Sequence, residues 1–394
     1  MIEKYYSGVI EQIYNRIGKE TRNIVMANYS NDFSIENLEV IRRYQSNEDN
    51  VFFAYSEFSY NTLVGAYEPF LDIICNMHRR FIGGSFDDFQ KKCGVYYLHR
   101  QVLNSYYETG ECFREETVLL NEVAYEQRRM TMAIADMLKK LSEVKPLMIV
   151  INRFQMASKS SIETIKYLID NPCANIGIVL GVNAIVKGTD STVEVWDRIV
   201  ESLEDRSAIY YIGSAGPLKN NVKTTNDDEL YITMNFEQSI QEASNIMEFL
   251  DFEQAKRGCR IIEHKLKFED AWIEEKSLRR FYMVYARTSV LLGEMSKAIE
   301  LTNEYKALIP ENDSEHYLSL YYFMKGTCYM YQGKLEKAGN SAKSAYDYAV
   351  LAEDDTLIFK AELLSVMIKM SGWYNIFFCV QDIPAVSYTH LTLP

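Results

Sequence analysis

The histidines and cysteines are the side chains best suited to metal binding or nucleophilic attack in this 394-residue chain, and their spacing serves neither. His78, His99, His264 and His316 stand alone, without the closely spaced second ligand of a zinc site. Cys75, Cys93, Cys112, Cys173, Cys259, Cys328 and Cys379 are scattered, with no Cys-x-x-Cys pair, as reduced core and surface thiols would be. No Gly-x-Ser-x-Gly elbow exposes a serine. The acidic runs Glu48-Asp49 and Glu353-Asp354-Asp355 lie beside predicted helix ends, where carboxylates serve as caps and solvated faces. The 29 tyrosines read as packing groups with a buried ring and a hydroxyl reaching water. Any remaining chemistry must come from turns at the ends of buried strands.

Those strands are visible as short apolar runs. Leu147–Ile151 and Ile176–Val182 flank a polar crossing, Asn152–Ser158, and a helix, Ser160–Asp170, opened by a Ser160-to-Glu163 capping box. Continuous runs joined through a helix suit neighbouring parallel strands covered on both faces. Nearer the N-terminus, Val9–Ile17 predicts a helix, Arg22–Asn28 a strand, Ile35–Tyr44 a helix capped by Ser34, and Asn50–Glu57 a second strand. Ala208–Ile212 completes the sheet. The expected fold is an α/β P-loop-like parallel-sheet domain, whose first strand-to-helix turn should cradle phosphate with glycine amides, a lysine and a hydroxyl. The turn here is Tyr29-Ser30-Asn31-Asp32-Phe33-Ser34, which has no glycine or lysine, and Asp32 would repel a phosphate. Gly18-Lys19-Glu20-Thr21 precedes the first strand and reads as a helix end.

The helix Tyr125–Leu141, then Lys145-Pro146, the strand Met148–Ile151 and Gln155-Met156-Ala157-Ser158 together resemble the second nucleotide-binding motif of STAND/AAA-type signal-transduction ATPases. The segment Asn61–Arg80, with Pro69-Phe70, resembles the helix that follows the second strand in that family. The resemblance implies two acidic residues at the end of the strand, holding magnesium and orienting water. Asn152 and Arg153 stand there instead, and neither can do that work. With both motifs degenerate, no catalytic residue, metal or cofactor is assigned, and weak nucleotide binding stays open. Gly83-Gly84-Ser85-Phe86-Asp87-Asp88-Phe89 faintly resembles the signature of diguanylate cyclases, but Ser85 replaces the required acid, and a turn with a Ser85/Asp88 cap explains it better.

Beyond the polar linker Gly213–Glu229 the period is helical. Turn-like sites recur at Leu250–Ala255, Gly293, Gly333 and Gly372, the last three 40 and 39 residues apart. Ala298 and Ala338 follow two of these turns, and Gly326 and Tyr329 share the spacing, so the region resembles a tetratricopeptide-like helical solenoid, with a HEAT-like array as the alternative. The domains expected are therefore 1–230, a degenerate ATPase-like α/β domain, and 231–384, truncated tetratricopeptide-like repeats. Residues 385–394, His390 included, resemble translated read-through of a sequencing-library adapter.

A net charge of −13 argues against a nonspecific nucleic-acid surface, no apolar run is long enough for a bilayer, and the N-terminus is not a signal peptide. The expected setting is cytoplasmic, with a protein or peptide, or a second copy, on the concave face of the repeats. The resemblance implies a non-catalytic regulatory fragment of a bacterial signal-transduction protein, the N-terminal part of a diguanylate cyclase. The alternative is a STAND-type ATP-dependent transcription regulator whose DNA-binding domain lies outside this sequence.

Overall fold

Five short apolar runs form one sheet in which every pair is parallel: β1 (Ile24–Tyr29), β2 (Phe52–Glu57), β3 (Leu147–Asn152), β4 (Ile176–Asn183) and β5 (Ile209–Ile212), in the order β2-β3-β4-β1-β5. Every residue of β3 and β4 is buried, as interior parallel strands require. The computed structural model describes residues 2–29, 38–46, 50–59, 63–112, 122–183, 193–213, 235–268, 273–312 and 314–380. The chain divides into two units, Met1–Ala271 and Trp272–Pro394.

In the first unit, α1 (Ile2–Arg16) lays Tyr6, Val9, Ile10 and Ile13 on Val25, Ala27 and Val179 of the sheet. Two glycines let it approach. A Cβ on Gly177 would stand 2.8 Å from Ile17 Cδ1, and one on Gly181 would meet Tyr6 and Asn152. Glycine inside a strand is tolerated where another element comes this close. Val40 and Ile41 of α2 (Glu39–Ser46) join the same core. An insert follows β2: α3 (Phe70–Met77), a π turn His78–Ile82, α4 (Phe86–Lys92) and α5 (Tyr97–Thr109). The helix expected over Asn61–Arg80 starts only at Phe70, because Tyr67 adopts a left-handed backbone (φ 56°) and Pro69 interrupts the N–H series.

Then come α6 (Val123–Val144), α7 (Lys159–Asp170) and α8 (Val193–Glu204), packed as successive neighbours. The cap of α7 is Ser158, two residues before the expected Ser160. Its hydroxyl accepts from the Ser161 amide at 3.4 Å and lies 3.0 and 2.9 Å from the hydroxyls of Ser160 and Ser161. Ser158→Ala should therefore lower the unfolding free energy by about 1 kcal/mol, measured as a shift in urea midpoint at unchanged slope.

The first unit also takes in α9 (Phe236–Glu248) and α10 (Phe252–Phe268), beyond the border expected near residue 230. Polar side chains dock this hairpin. Asn245 accepts from the Cys112 amide at 2.9 Å and donates to the Gly110 carbonyl at 3.0 Å. Gln127 donates to the Leu250 carbonyl (2.6 Å), and Gln254 to that of Val64 (2.9 Å). Asp251 accepts from the Ser160 amide at 3.0 Å, placing a carboxylate at the N-terminus of α7.

The second unit is helical where described: α11 (Glu275–Leu291), α12 (Met295–Ala307), α13 (Ser314–Tyr331), α14 (Leu335–Leu351) and α15 (Asp355–Val380), each packed on the next. Gly293 and Gly333 end α11 and α13 with matching left-handed backbones (φ 79° and 72°). The next amide in each, Glu294 and Lys334, returns to the carbonyl five residues back at 2.8 and 2.9 Å, the paired-bond helix stop. Ala298 and Ala338 are fully buried, and a Cβ on Gly326 would lie 3.0 Å from Leu364, so small residues set the helix spacing. Tyr329 packs, partly buried, beside this core. Gly372 is different. It lies within the continuous α15 rather than at a turn, because nothing there forces a left-handed residue and an interior glycine costs a helix only about 1 kcal/mol. The stop before α15 uses Glu353 instead (φ 53°).

Candidate functional site

In an open parallel sheet, a ligand crevice forms outside the carboxyl ends of the strands where outgoing connections part. Here β1 leads toward edge strand β2 while its neighbour β4 leads to β5 beyond it, so the parting lies between Tyr29 and Asn183. Ser30, Asn31, Asp32 and Ser34, the sequence-predicted cradle, lie outside the described residues. The floor beneath that crevice is described in full.

Tyr29, fully buried at the end of β1, donates its hydroxyl to Asn152 Oδ1 at the end of β3 over 2.5 Å. Tyr6 stands edge-on to Tyr29, ring centroids 6.3 Å apart, with its hydroxyl over Gly181. Burial first, and then the neighbouring Tyr29, Tyr55 and Glu57, push the Tyr6 phenol well above its ordinary pKa, so it stays protonated. Asn152 and Arg153 are thus brought to the same strand end, but they face different partners. Arg153 takes a left-handed backbone (φ 54°) before the short 3-10 turn Phe154–Met156. That turn of the chain sends its guanidinium toward β2, where it pairs with Glu57 at 3.0 Å and donates to the Phe58 carbonyl at 3.3 Å. Tyr55 also donates to Glu57. Gln155 accepts from the Asn183 amide at 3.3 Å, tying the crossing to the end of β4.

Chemically, the described part of this floor offers a carboxylate, Glu57, already engaged by a guanidinium and a phenol, and two amide oxygens, that of Asn152 engaged by a second phenol and that of Gln155 by a backbone amide. Such a set can lock three strand ends together. No group of three histidine, cysteine, aspartate or glutamate side chains among the described residues is placed to hold a metal ion. Three of the thiols are poor nucleophiles, since burial pushes Cys75 and Cys328 up to about 12 and Cys93 to about 11. His78 is held below its ordinary pKa by burial and the neighbouring Arg79, and its Nδ1 lies 3.1 Å from the Tyr107 hydroxyl. His99 of α5 is buried with its Nε2 3.0 Å from the Glu126 carboxyl of α6. Gly83 and Gly84 both turn left-handed, and Ser85 caps α4 by accepting from Asp88, so that segment is a turn and cap.

Sequence reasoning placed Tyr29 at the start of the cradle turn and missed Tyr6, Glu57 and Asn183 as members of this floor. One signal was present: Gly177 and Gly181, two strand glycines four apart on one face, announce a close-packed helix. No helix among the described residues is long and apolar enough to cross a membrane. No family model matches the chain, and no curated protein matches it.

Proposed function

We propose that residues 1–271 form a STAND/AAA-like head that docks and switches without hydrolysing nucleotide, joined to tetratricopeptide-like helices that hold a protein or peptide. The observation that carries this reading is the end of β3. Where the family resemblance calls for carboxylates, Asn152 gives its oxygen to Tyr29 and Arg153 its charge to Glu57. The strand arrangement supports the ATPase-like part, with β1 and β3 on either side of β4 and a crevice outside their carboxyl ends. The matched stops at Gly293 and Gly333, 40 residues apart, support the repeat. Phe359, Leu363, Val366 and Met370, exposed at helical spacing along α15, suit a protein surface better than a small ligand.

By the same resemblance, the protein is the sensory part of a bacterial signalling protein, with a diguanylate cyclase as its output. The purified chain, given Mg-ATP, is expected to release no phosphate above the rate of buffer alone. Magnesium-dependent turnover that is lost on Asn152→Ala would overturn the non-catalytic reading.

A further inference from the structure

The sheet ends on β2, which pairs with β3 on one side and with no strand on the other among the described residues. The Phe52 amide donates to the Pro146 carbonyl at 2.8 Å, and the Phe58 amide to that of Asn152 at 3.2 Å. Backbone groups alternate along a strand, so Ala54 and Ser56 also face β3, while Phe53 and Tyr55 turn theirs to the outer edge. The outward N–H and C=O of Phe53 meet no partner among the described residues. Edges are ordinarily blunted by a lysine, a proline, a bulge, shortness or a covering element. The run Phe52-Phe53-Ala54-Tyr55-Ser56-Glu57 has no lysine or proline and keeps an unbroken register with β3. Its one charge, Glu57, is engaged by Arg153. At the opposite edge of the sheet, by contrast, β5 is only four residues long.

Beside this edge lies a cavity of about 440 Å³, within the roughly 300–1,000 Å³ of ordinary ligand sites. Its floor is the strand from Phe52 to Ser56, and its walls come from Gln45 of α2 and from Asp72 and Asn76 of α3. Walls on both faces of the sheet leave a slot for one extended chain. A second copy would bring its own α2 and α3 to the edge, and these would hold the two strands apart. The faces of the slot differ in chemistry. Phe53 packs 5.7 Å from the Tyr44 ring in the apolar core on the α2 side. On the α3 side stand Glu68 and Asp72, with Glu242 as a charged neighbour of both, and Arg80 lies over the Phe52 ring at 5.4 Å. Neither Glu68 nor Asp72 pairs with a cation among the described residues. The field on that side therefore favours a basic segment over an acidic one.

We propose that β2 is a docking edge, on which an extended basic segment of a partner protein adds a sixth strand to the sheet. Main-chain hydrogen bonds to Phe53 and Tyr55 hold the segment, and alternate basic side chains face α3. The edge lies beyond β3 from the crevice, so this role is independent of the nucleotide reading.

The test gives the full chain three capped pentapeptides. One alternates lysine and valine, one alternates glutamate and valine, and the third is the lysine peptide with every backbone amide methylated. In the free chain the Phe53 amide should exchange faster than that of Ala54, which is bonded to β3. The lysine peptide is expected to bind saturably in calorimetry at millimolar concentration or below. It should slow exchange at Phe53 about tenfold or more and leave Ala54 unchanged. The glutamate peptide should bind about tenfold more weakly, and methylation, which removes every backbone donor, should cost about tenfold or more. The absence of saturable binding by the lysine peptide overturns the site. Equal affinity of the methylated peptide overturns strand addition, and equal affinity of the glutamate peptide overturns the basic partner. A Phe53 amide as protected as Ala54 in the free chain would mean that the edge is already occupied, and it overturns the proposal outright.

Discussion

Gly181→Ala is expected to lower the unfolding free energy of the first unit by about 3 kcal/mol, at the upper end of what overpacking a core costs. The new Cβ would stand 2.9 Å from Asn152 Oδ1 and 3.3 Å from Tyr6 Cζ, and nearer still to the Tyr6 hydroxyl. None of these groups has room to retreat. Tyr6 and Asn152 are fully buried, Tyr6 stands edge-on to Tyr29, and Asn152 is held by the Tyr29 hydroxyl. Relief would require α1 to lift from the sheet, losing contacts of Val9, Ile10 and Ile13 as well. Hydrogen exchange at the amides of β3 and β4 reads the effect locally.

Two companions make the result specific. Gly8→Ala, in the same helix but with nothing within 4 Å of the new methyl, should instead stabilise by about 1 kcal/mol from helix propensity. Tyr6→Phe, placed in the Gly181→Ala background, should return part of the loss, a coupling that a double-mutant cycle isolates. Equal protection factors in Gly181→Ala and the parent chain would remove Tyr6 and Asn152 from the floor of the crevice as described.

The strands were legible because burial on both faces leaves nothing but apolar residues, so β3 and β4 stand out as continuous runs. Caps were legible to within a turn. Ser85 opens α4 as its spacing to Asp88 predicts, whereas α7 begins at Ser158 because Ser158, Ser160 and Ser161 share one hydrogen-bonded cluster and any of them satisfies the motif. The Tyr29–Asn152 pair joins residues 123 apart through side chains with no motif of their own. The unit border escaped for a similar reason. The α9–α10 hairpin has the same helical period as the helices after it, and what ties it to the first unit is long-range contact: Phe249 against the Tyr67 and Tyr106 rings, with polar contacts through Asn245, Asp251 and Gln254. Of the turn glycines, Gly293 and Gly333 were readable from spacing, while Gly372 shows that a glycine in register with a repeat need not end a helix.

The same hairpin makes the first unit sensitive to pH. Glu242 of α9 is part-buried against the 65–72 segment, with Glu68 and Asp72 as its charged neighbours. Burial first, and then those two carboxylates, push its pKa from 4.5 to about 7. Glu68 is raised as well, chiefly by burial, against the Gly65 amide that donates to it at 2.9 Å. Asp72 accepts from the Tyr106 hydroxyl at 3.2 Å.

For a carboxyl raised in the folded state, the folded chain keeps a proton that the unfolded chain has released. The stability that Glu242 allows is fully present below pH 4.5 and is lost as pH climbs toward about 7, above which the loss is complete. The span corresponds to roughly 3 kcal/mol. Glu242→Gln cannot ionise, so it should exceed the parent chain in stability by up to about 3 kcal/mol at pH 8 and match it near pH 4. Urea midpoints of the two proteins, taken across that range, give the difference directly and cancel every titrating group not coupled to Glu242. A difference that stays constant with pH would mean that Glu242 ionises in the folded protein as freely as in water, and that α9 does not press it against Glu68 and Asp72.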